Sequence, residues 1–271
     1  MSGLQTDHFR GGSGEPLVLL HPAVTTWRIW RPVIDRLTTH HDVFAPTLPG
    51  HHGGPPPPRL LTFGGLADAV EDLLDGAGIG RAHLAGNSLG AAAVLELARR
   101  GRAITATAIA PPGAWGTGWD RLLLEVKLVA AIRIASAPLP PIPVGSAVVR
   151  RAALAPLMVR GDRVPVDEVR QLLTSRRHSA RFVVRLITGL RSEGHSEAPF
   201  APGPCPTLVA WPQLDRVLPY RRYGSPFRTL LPQSGHVQLP RTGHVPMYDD
   251  PELVASTILS LTSPSAIDTA V

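Results

Sequence analysis

The five residues Gly86-Asn87-Ser88-Leu89-Gly90 stand between a short apolar run ending at Ala85 and an alanine-rich stretch, Ala91 to Arg100. A Gly-x-Ser-x-Gly block in that setting predicts a strand, a sharp turn and a helix. Ala82, Leu84 and Ala85 follow a glycine-punctuated turn (Gly76, Gly78, Gly80) and read as a buried strand. Gly101, with arginines just before it, reads as the helix stop. A serine hydroxyl is a weak nucleophile at neutral pH, so it must stand exposed where a base can reach it. In such a turn the amide of the next residue, Leu89, faces a developing oxyanion. Bulk two residues before or after the serine would strike the neighbouring backbone, and glycine at 86 and 90 removes it. A small-residue helix cap is the competing reading of the pentapeptide.

A nucleophilic serine also needs an imidazole and a buried carboxylate to orient it. Downstream, Leu208 to Trp211 reads as an apolar strand, and Asp215 follows it in a loop that ends at Pro219. Parallel α/β sheets carry their functional side chains just past such strand ends. Thr229 to Leu231 and Val237 to Leu239 are read as strand and turn, after which Gly243-His244-Val245-Pro246-Met247 leads into a predicted helix from Pro251 to Leu261. His236 lies in a second Gly-His-Val copy eight positions before His244. A strand is expected to follow His236, whereas a base needs a loop facing the serine, so His244 is the preferred base.

With these blocks in order, the chain resembles an α/β-hydrolase-fold serine hydrolase over roughly residues 1–112 and 204–271. Leu19, Leu20 and His21 resemble the family's strand-end His-Gly segment, and Pro46 to Gly53 its Leu-Pro-Gly-His-Gly loop. The resemblance implies Ser88 as nucleophile, Asp215 as acid and His244 as base. It also implies a mostly parallel, doubly wound α/β sheet with an inserted all-helical cap. The family's second oxyanion donor maps to the amide of Ala23. Two positions depart from the pattern. Pro22 replaces the usual glycine and has no amide hydrogen to offer, and Thr47 replaces an aspartate. Losing one oxyanion donor costs about 10²- to 10³-fold in rate, so the placement of Ala23 matters.

Between Thr105–Ala110, a strand candidate, and Leu208 lies a stretch of different character. Asp120–Ser136, Val144–Val159, Val166–Ser175 and Ala180–Arg191 read as helices, separated by Pro138–Pro143, the Gly161–Pro165 turn and Arg176–Ser179. The expected division is a first core segment over 1–112, a helical cap over 113–203 and a second core segment over 204–271. Leu122, Leu123, Val126, Val129 and Ala130 share one helix face, as do Val183, Leu186, Ile187 and Leu190. Most are expected to pack on the core or each other, and some to roof a pocket for an apolar substrate group.

The chain has 271 residues, of which 44% are hydrophobic, and a formal net charge of +6. Residues 113–203 hold thirteen Lys and Arg against seven Asp and Glu, while the remainder balances. A basic cap can attract anionic substrates, an acyl carrier or an anionic membrane surface. An arginine-rich solvated surface is the plainer alternative. Without aromatic interleaving or a phosphate-binding loop, nucleic acid is not an expected partner.

The single cysteine, Cys205, excludes an internal disulfide and reads as a structural thiol. The pairs His40/His41 and His51/His52 lack cysteine or carboxylate at ligand spacing. They are expected to be solvated loop histidines, and neither a metal nor a cofactor is expected. With no membrane-length apolar run and no signal-like start, the expected location is cytoplasmic, without stable membrane insertion.

Acyl transfer from a small-molecule ester to water is the reaction these residues predict, through an acyl-enzyme on Ser88. A thioesterase acting on carrier- or CoA-bound acyl groups is the alternative, and lactonases and C–C hydrolases share the constellation. A non-hydrolytic ligand binder or cyclase of the same fold is the reading from another class. Serine at the elbow argues against epoxide hydrolases and haloalkane dehalogenases, which need a carboxylate nucleophile.

Overall fold

Alternation of buried side chains along the strands divides the interior into two cores, one on each face of a sheet. In the second strand, Val18 and Leu20 join one core while Leu17 and Leu19 join the other. The computed structural model describes residues 7–114, 117–137, 143–189 and 203–262. Its strands are β1 (His8–Gly11), β2 (Pro16–Leu20), β3 (Asp42–Pro46), β4 (Ala82–Asn87), β5 (Ala103–Ile109), β6 (Thr207–Pro212) and β7 (Gly235–Leu239). They form a seven-stranded sheet in the order β1-β3-β2-β4-β5-β6-β7, with β1 antiparallel to β3 and every other pairing parallel.

The helices are α1 (Arg31–Leu37), α2 (Phe63–Gly76), α3 (Leu89–Arg99), α4 (Gly118–Ser136), α5 (Ala147–Leu154), α6 (Val166–Gly189), α7 (Phe227–Leu230) and α8 (Pro251–Thr262). Residues of α2 and α3 pack in one core, and those of α1 and α8 in the other. That is the doubly wound arrangement predicted from the sequence. After β2 the chain moves outward to β3, then crosses back to β4 on the other side of β2. The reversal makes the carboxyl ends of β2 and β4 the switch point, where such sheets bind ligands.

Local chemistry sets the helix ends. Thr62 Oγ1 accepts the Gly65 amide at 2.9 Å to start α2, and Gly101, at φ +80°, closes α3. Thr117 Oγ1 caps α4 through the Asp120 amide, and the Asp120 carboxylate takes the Thr117 hydroxyl in return at 2.8 Å. Between β5 and β6 the insertion is helical throughout its longer elements, as predicted.

Several boundaries differ from the sequence reading. Residues 229–231 are not a strand: Phe227–Leu230 form one helical turn entered from Pro226, which seats Phe227 against Trp211. Arg176–Ser179 do not break a helix, because α6 runs unbroken from Val166 to Gly189. Polar residues fall there because Ser175 and Ser179 face inward and bond to the core, while Arg177 faces out and Arg176 is half-buried. Ala147–Leu154 is shorter than the predicted Val144–Val159, since Pro156 stops it. On α4, Leu122, Leu123 and Val126 are exposed rather than packed, and the buried side carries Leu124 and Glu125. On α6, Val183 and Leu186 are buried as expected. The predicted Pro138–Pro143 connection lies largely outside the described residues, as do Leu190 and Arg191.

Candidate active site

Ser88 stands between β4 and α3 with φ 53° and ψ −117°, a left-handed conformation that L side chains rarely adopt. Its amide donates to Ile109 O at 2.8 Å and its carbonyl accepts the Ala92 amide at 3.1 Å, so strand and helix hold the turn from both sides. The flanking glycines are required by contact. A Cβ at 86 would overlap Gly90 O and lie 2.7 Å from Ala91 N; one at 90 would overlap Leu20 O and lie 2.8 Å from His21 O. Glycine therefore brings the elbow against the end of β2, in keeping with the register Leu20↔Gly86. Leu89 N opens α3, where unpaired amides and the helix dipole favour negative charge.

Pro22, Ala23 and Val24 follow β2. The Pro22 carbonyl accepts from His21 Nδ1 at 2.8 Å and Thr25 Oγ1 at 2.7 Å, while the Leu48 amide donates to His21 Nε2 at 2.8 Å. With Nε2 the acceptor, the ring proton sits on Nδ1. Burial, reinforced by His51, holds His21 well below the ordinary imidazole range, so it stays neutral. No peptide bond is cis among the described residues. In a trans peptide the carbonyl and the next amide hydrogen point in opposite directions. Fixing Pro22 O inward thus turns the Ala23 N–H outward from these partners. Val24, at φ 59°, carries the strain of the turn.

Asp215 and His244 follow β6 and β7. One carboxylate oxygen of Asp215 accepts the Val217 and Leu218 amides at 2.8 and 2.7 Å, and the other lies 2.7 Å from His244 Nδ1. A carboxylate only accepts, so Nδ1 is the donor in this contact. Both side chains are buried. Leu214 N donates to Thr242 O at 2.9 Å, bracing the two loops together. Asn87, beside the serine, donates through Nδ2 to His244 O at 3.0 Å and to Ile109 O at 3.2 Å. Elbow, imidazole and carboxylate therefore belong to one connected unit. Among the described residues Ser88 Oγ makes no hydrogen bond.

His236 sits within β7 opposite Val209, and its Nε2 donates to Leu231 O at 3.2 Å, so it takes no part in this unit. Two of the four paired histidines are not solvated as expected. His41 is buried between Glu15 O, at 3.1 Å, and Thr262 Oγ1, at 2.8 Å. His51 is buried edge-on to both His21 and Phe182. The sequence reading missed this because an imidazole in an apolar site stays neutral and packs like a small aromatic ring. Among the described residues no group of three or more His, Cys, Asp or Glu is placed to hold a metal. Cys205 is half-buried, and burial raises its thiol above the ordinary range.

The helical insertion grips this rim at several points. Ser175 Oγ donates to Thr25 O at 3.0 Å and the His52 amide donates to Ser179 Oγ at 3.0 Å. Glu168 takes Arg28 Nε at 3.0 Å and Arg31 Nη1 at 2.5 Å. Asp249, which the sequence reading passed over, accepts the Gly243 amide at 2.7 Å together with those of Val159 at 3.0 Å and Arg160 at 2.6 Å. Its carboxylate thus ties the insertion to the loop carrying His244. The only signal in the sequence was an acid five residues after the candidate base.

Sheet order, elbow and carboxylate–imidazole pair define the class of protein, and the chain belongs to the alpha/beta hydrolase family, whose model matches residues 17–257. It is 34% identical over 206 residues to an epoxide hydrolase, EphH, of Mycobacterium tuberculosis, covering 72% of this chain and 92% of the relative. It is 35% identical over 103 residues to a 2-hydroxy-6-oxo-2,4-heptadienoate hydrolase of Pseudomonas putida, covering 36% of this chain and 37% of that enzyme. Among solved structures, a thermophilic esterase from Thermogutta terrifontis superposes with a TM-score of 0.72 at 22% identity, over 94% of this chain and 92% of that one. The protein is thus an enzyme of the hydrolase class.

Proposed function

We propose that the enzyme is a serine hydrolase that cleaves an ester-like bond in a small, largely apolar substrate. Ser88 Oγ attacks the carbonyl carbon while His244 Nε2 takes its proton; the Leu89 and Ala23 amides receive the oxyanion. Collapse expels the alcohol, which leaves with the proton from His244, and water then releases the acid from Ser88 by the same steps. Asp215 keeps His244 in the Nδ1–H tautomer and stabilises the imidazolium.

The observation that carries this reading is the 2.7 Å contact between His244 Nδ1 and a buried Asp215 that also accepts two amides, linked through Asn87 to the end of the strand just before Ser88. Similarity to an epoxide hydrolase bears on the fold more than on the reaction. A carboxylate that opens an epoxide leaves an ester, which water can cleave. Ser88 opening an epoxide would leave an ether, with no carbonyl for water to attack. A panel of nitrophenyl esters of rising chain length, run on the wild type and Ser88→Ala, tests the proposal. Unchanged turnover in the variant ends it.

The excess of basic residues in 113–203 favours one second reading, a thioesterase acting on a carrier-bound acyl group. Thioester turnover that falls steeply with salt, while small neutral esters are unaffected, distinguishes the two.

A further inference from the structure

Helix α4 carries large apolar residues on two sides rather than along one stripe. Among the described residues one apolar side meets the protein: Leu124 is buried and Leu128 packs against the core. The opposite side lies open, with Trp119 75%, Val126 56% and Ile134 70% exposed and Leu122 and Leu123 partly so. At about 100° per residue these five side chains fall within an arc of about 120°, along roughly 22 Å of helix. Trp119 stands at one end and Ile134 at the other.

The charges around this stripe are of one sign. The Asp120 carboxylate is taken by Arg222 Nε at 2.5 Å, and Glu125 is buried. Arg133 is exposed within the arc, next to Ile134 at its far end, and Lys127, just beyond the arc, reaches across to Arg216 O at 2.8 Å, bringing the exposed Arg216 alongside. The insertion that carries α4 holds the whole excess positive charge of the chain.

We propose that the outer face of α4 docks the protein on an anionic phospholipid surface, with the helix lying in the interface and its basic rim among the headgroups. An exposed apolar arc with an aromatic end and basic residues within and beside it favours such adsorption. A second copy of the chain fits less well, because an isologous pairing about α4 sets the basic rim against itself. Spanning the bilayer is not implied: among the described residues no helix is long and apolar enough to cross it. The inference does not depend on the chemistry at Ser88.

Flotation of the full chain with phosphatidylcholine vesicles, with and without one third phosphatidylglycerol, tests it. The wild type is expected to float with the anionic vesicles, less so as salt rises. Leu123→Asp combined with Val126→Asp is expected to weaken that association by at least about tenfold. Arg133→Glu is expected to weaken it toward anionic vesicles alone. Both variants lie on exposed positions, so their melting temperatures serve as the folding control. Absence of wild-type binding to anionic vesicles, or binding that survives the double aspartate variant, overturns the proposal. So does a dimer in light scattering that Leu123→Asp dissociates, which assigns the face to a second copy.

Discussion

Asn87 Nδ2 holds the main-chain carbonyl of His244 at 3.0 Å across 157 positions of sequence. The residue before the candidate nucleophile thus sets the height of the loop that carries the candidate base. Asn87→Ala leaves that buried carbonyl unpaired, a cost of about 1–3 kcal/mol. It is expected to lower kcat more than it raises KM, since the imidazole is misplaced rather than the substrate pocket. Steady-state kinetics beside a thermal melt check both parts.

Ser88→Ala is expected to reduce ester hydrolysis by about 10⁶-fold if the three residues act as a unit. Labelling by a fluorophosphonate should vanish with it, while the melting temperature stays near that of the wild type. Labelling that persists points to a different nucleophile.

Asp215→Asn is expected to lower kcat by about 10⁴-fold, because an amide in place of the carboxylate favours the wrong imidazole tautomer. His236→Ala, by contrast, should leave kcat within a few-fold of the wild type. Comparable losses in the two variants would undo the assignment of His244.

Gly90→Ala places a methyl group on the Leu20 carbonyl, with backbone on both sides and nothing free to move. Destabilisation of at least about 2 kcal/mol is expected, read as a lower midpoint in urea. Gly80→Ala is the control, as a Cβ there meets nothing within 4 Å.

Burial pushes His51 from 6.5 down to about 4. The unfolded chain therefore binds a proton below pH 6.5 that the folded chain refuses, so stability falls as the pH drops. The loss approaches about 3 kcal/mol by pH 4, while nothing changes above pH 7. Melting temperatures of wild type and His51→Phe should diverge in slope only within that window. Parallel slopes would mean that His51 titrates freely.

The sequence by itself determined whatever depends on neighbours along the chain. Gly86 and Gly90 around Ser88, the apolar run before them and the alanine-rich run after them constrain one another at short range, so strand, elbow and helix were legible together. The helical character of the insertion was legible for the same reason.

Tertiary structure decided what depends on contacts between distant segments. His236 and His244 share the same tripeptide, and only the register of β6 and β7 puts the second beside Asp215. The direction of the Ala23 amide follows from His21, Thr25 and Leu48 gripping the Pro22 carbonyl and the ring beside it. Arg176–Ser179 reads as a break between helices in the sequence, yet α6 runs through it with Ser175 and Ser179 bonded to the core, and on α4 the core takes Leu124 and Glu125 instead of the face carrying Leu122, Leu123 and Val126. Helical spacing specifies which residues share a face. The solvent, core or partner that meets that face is chosen by the packing of the whole chain.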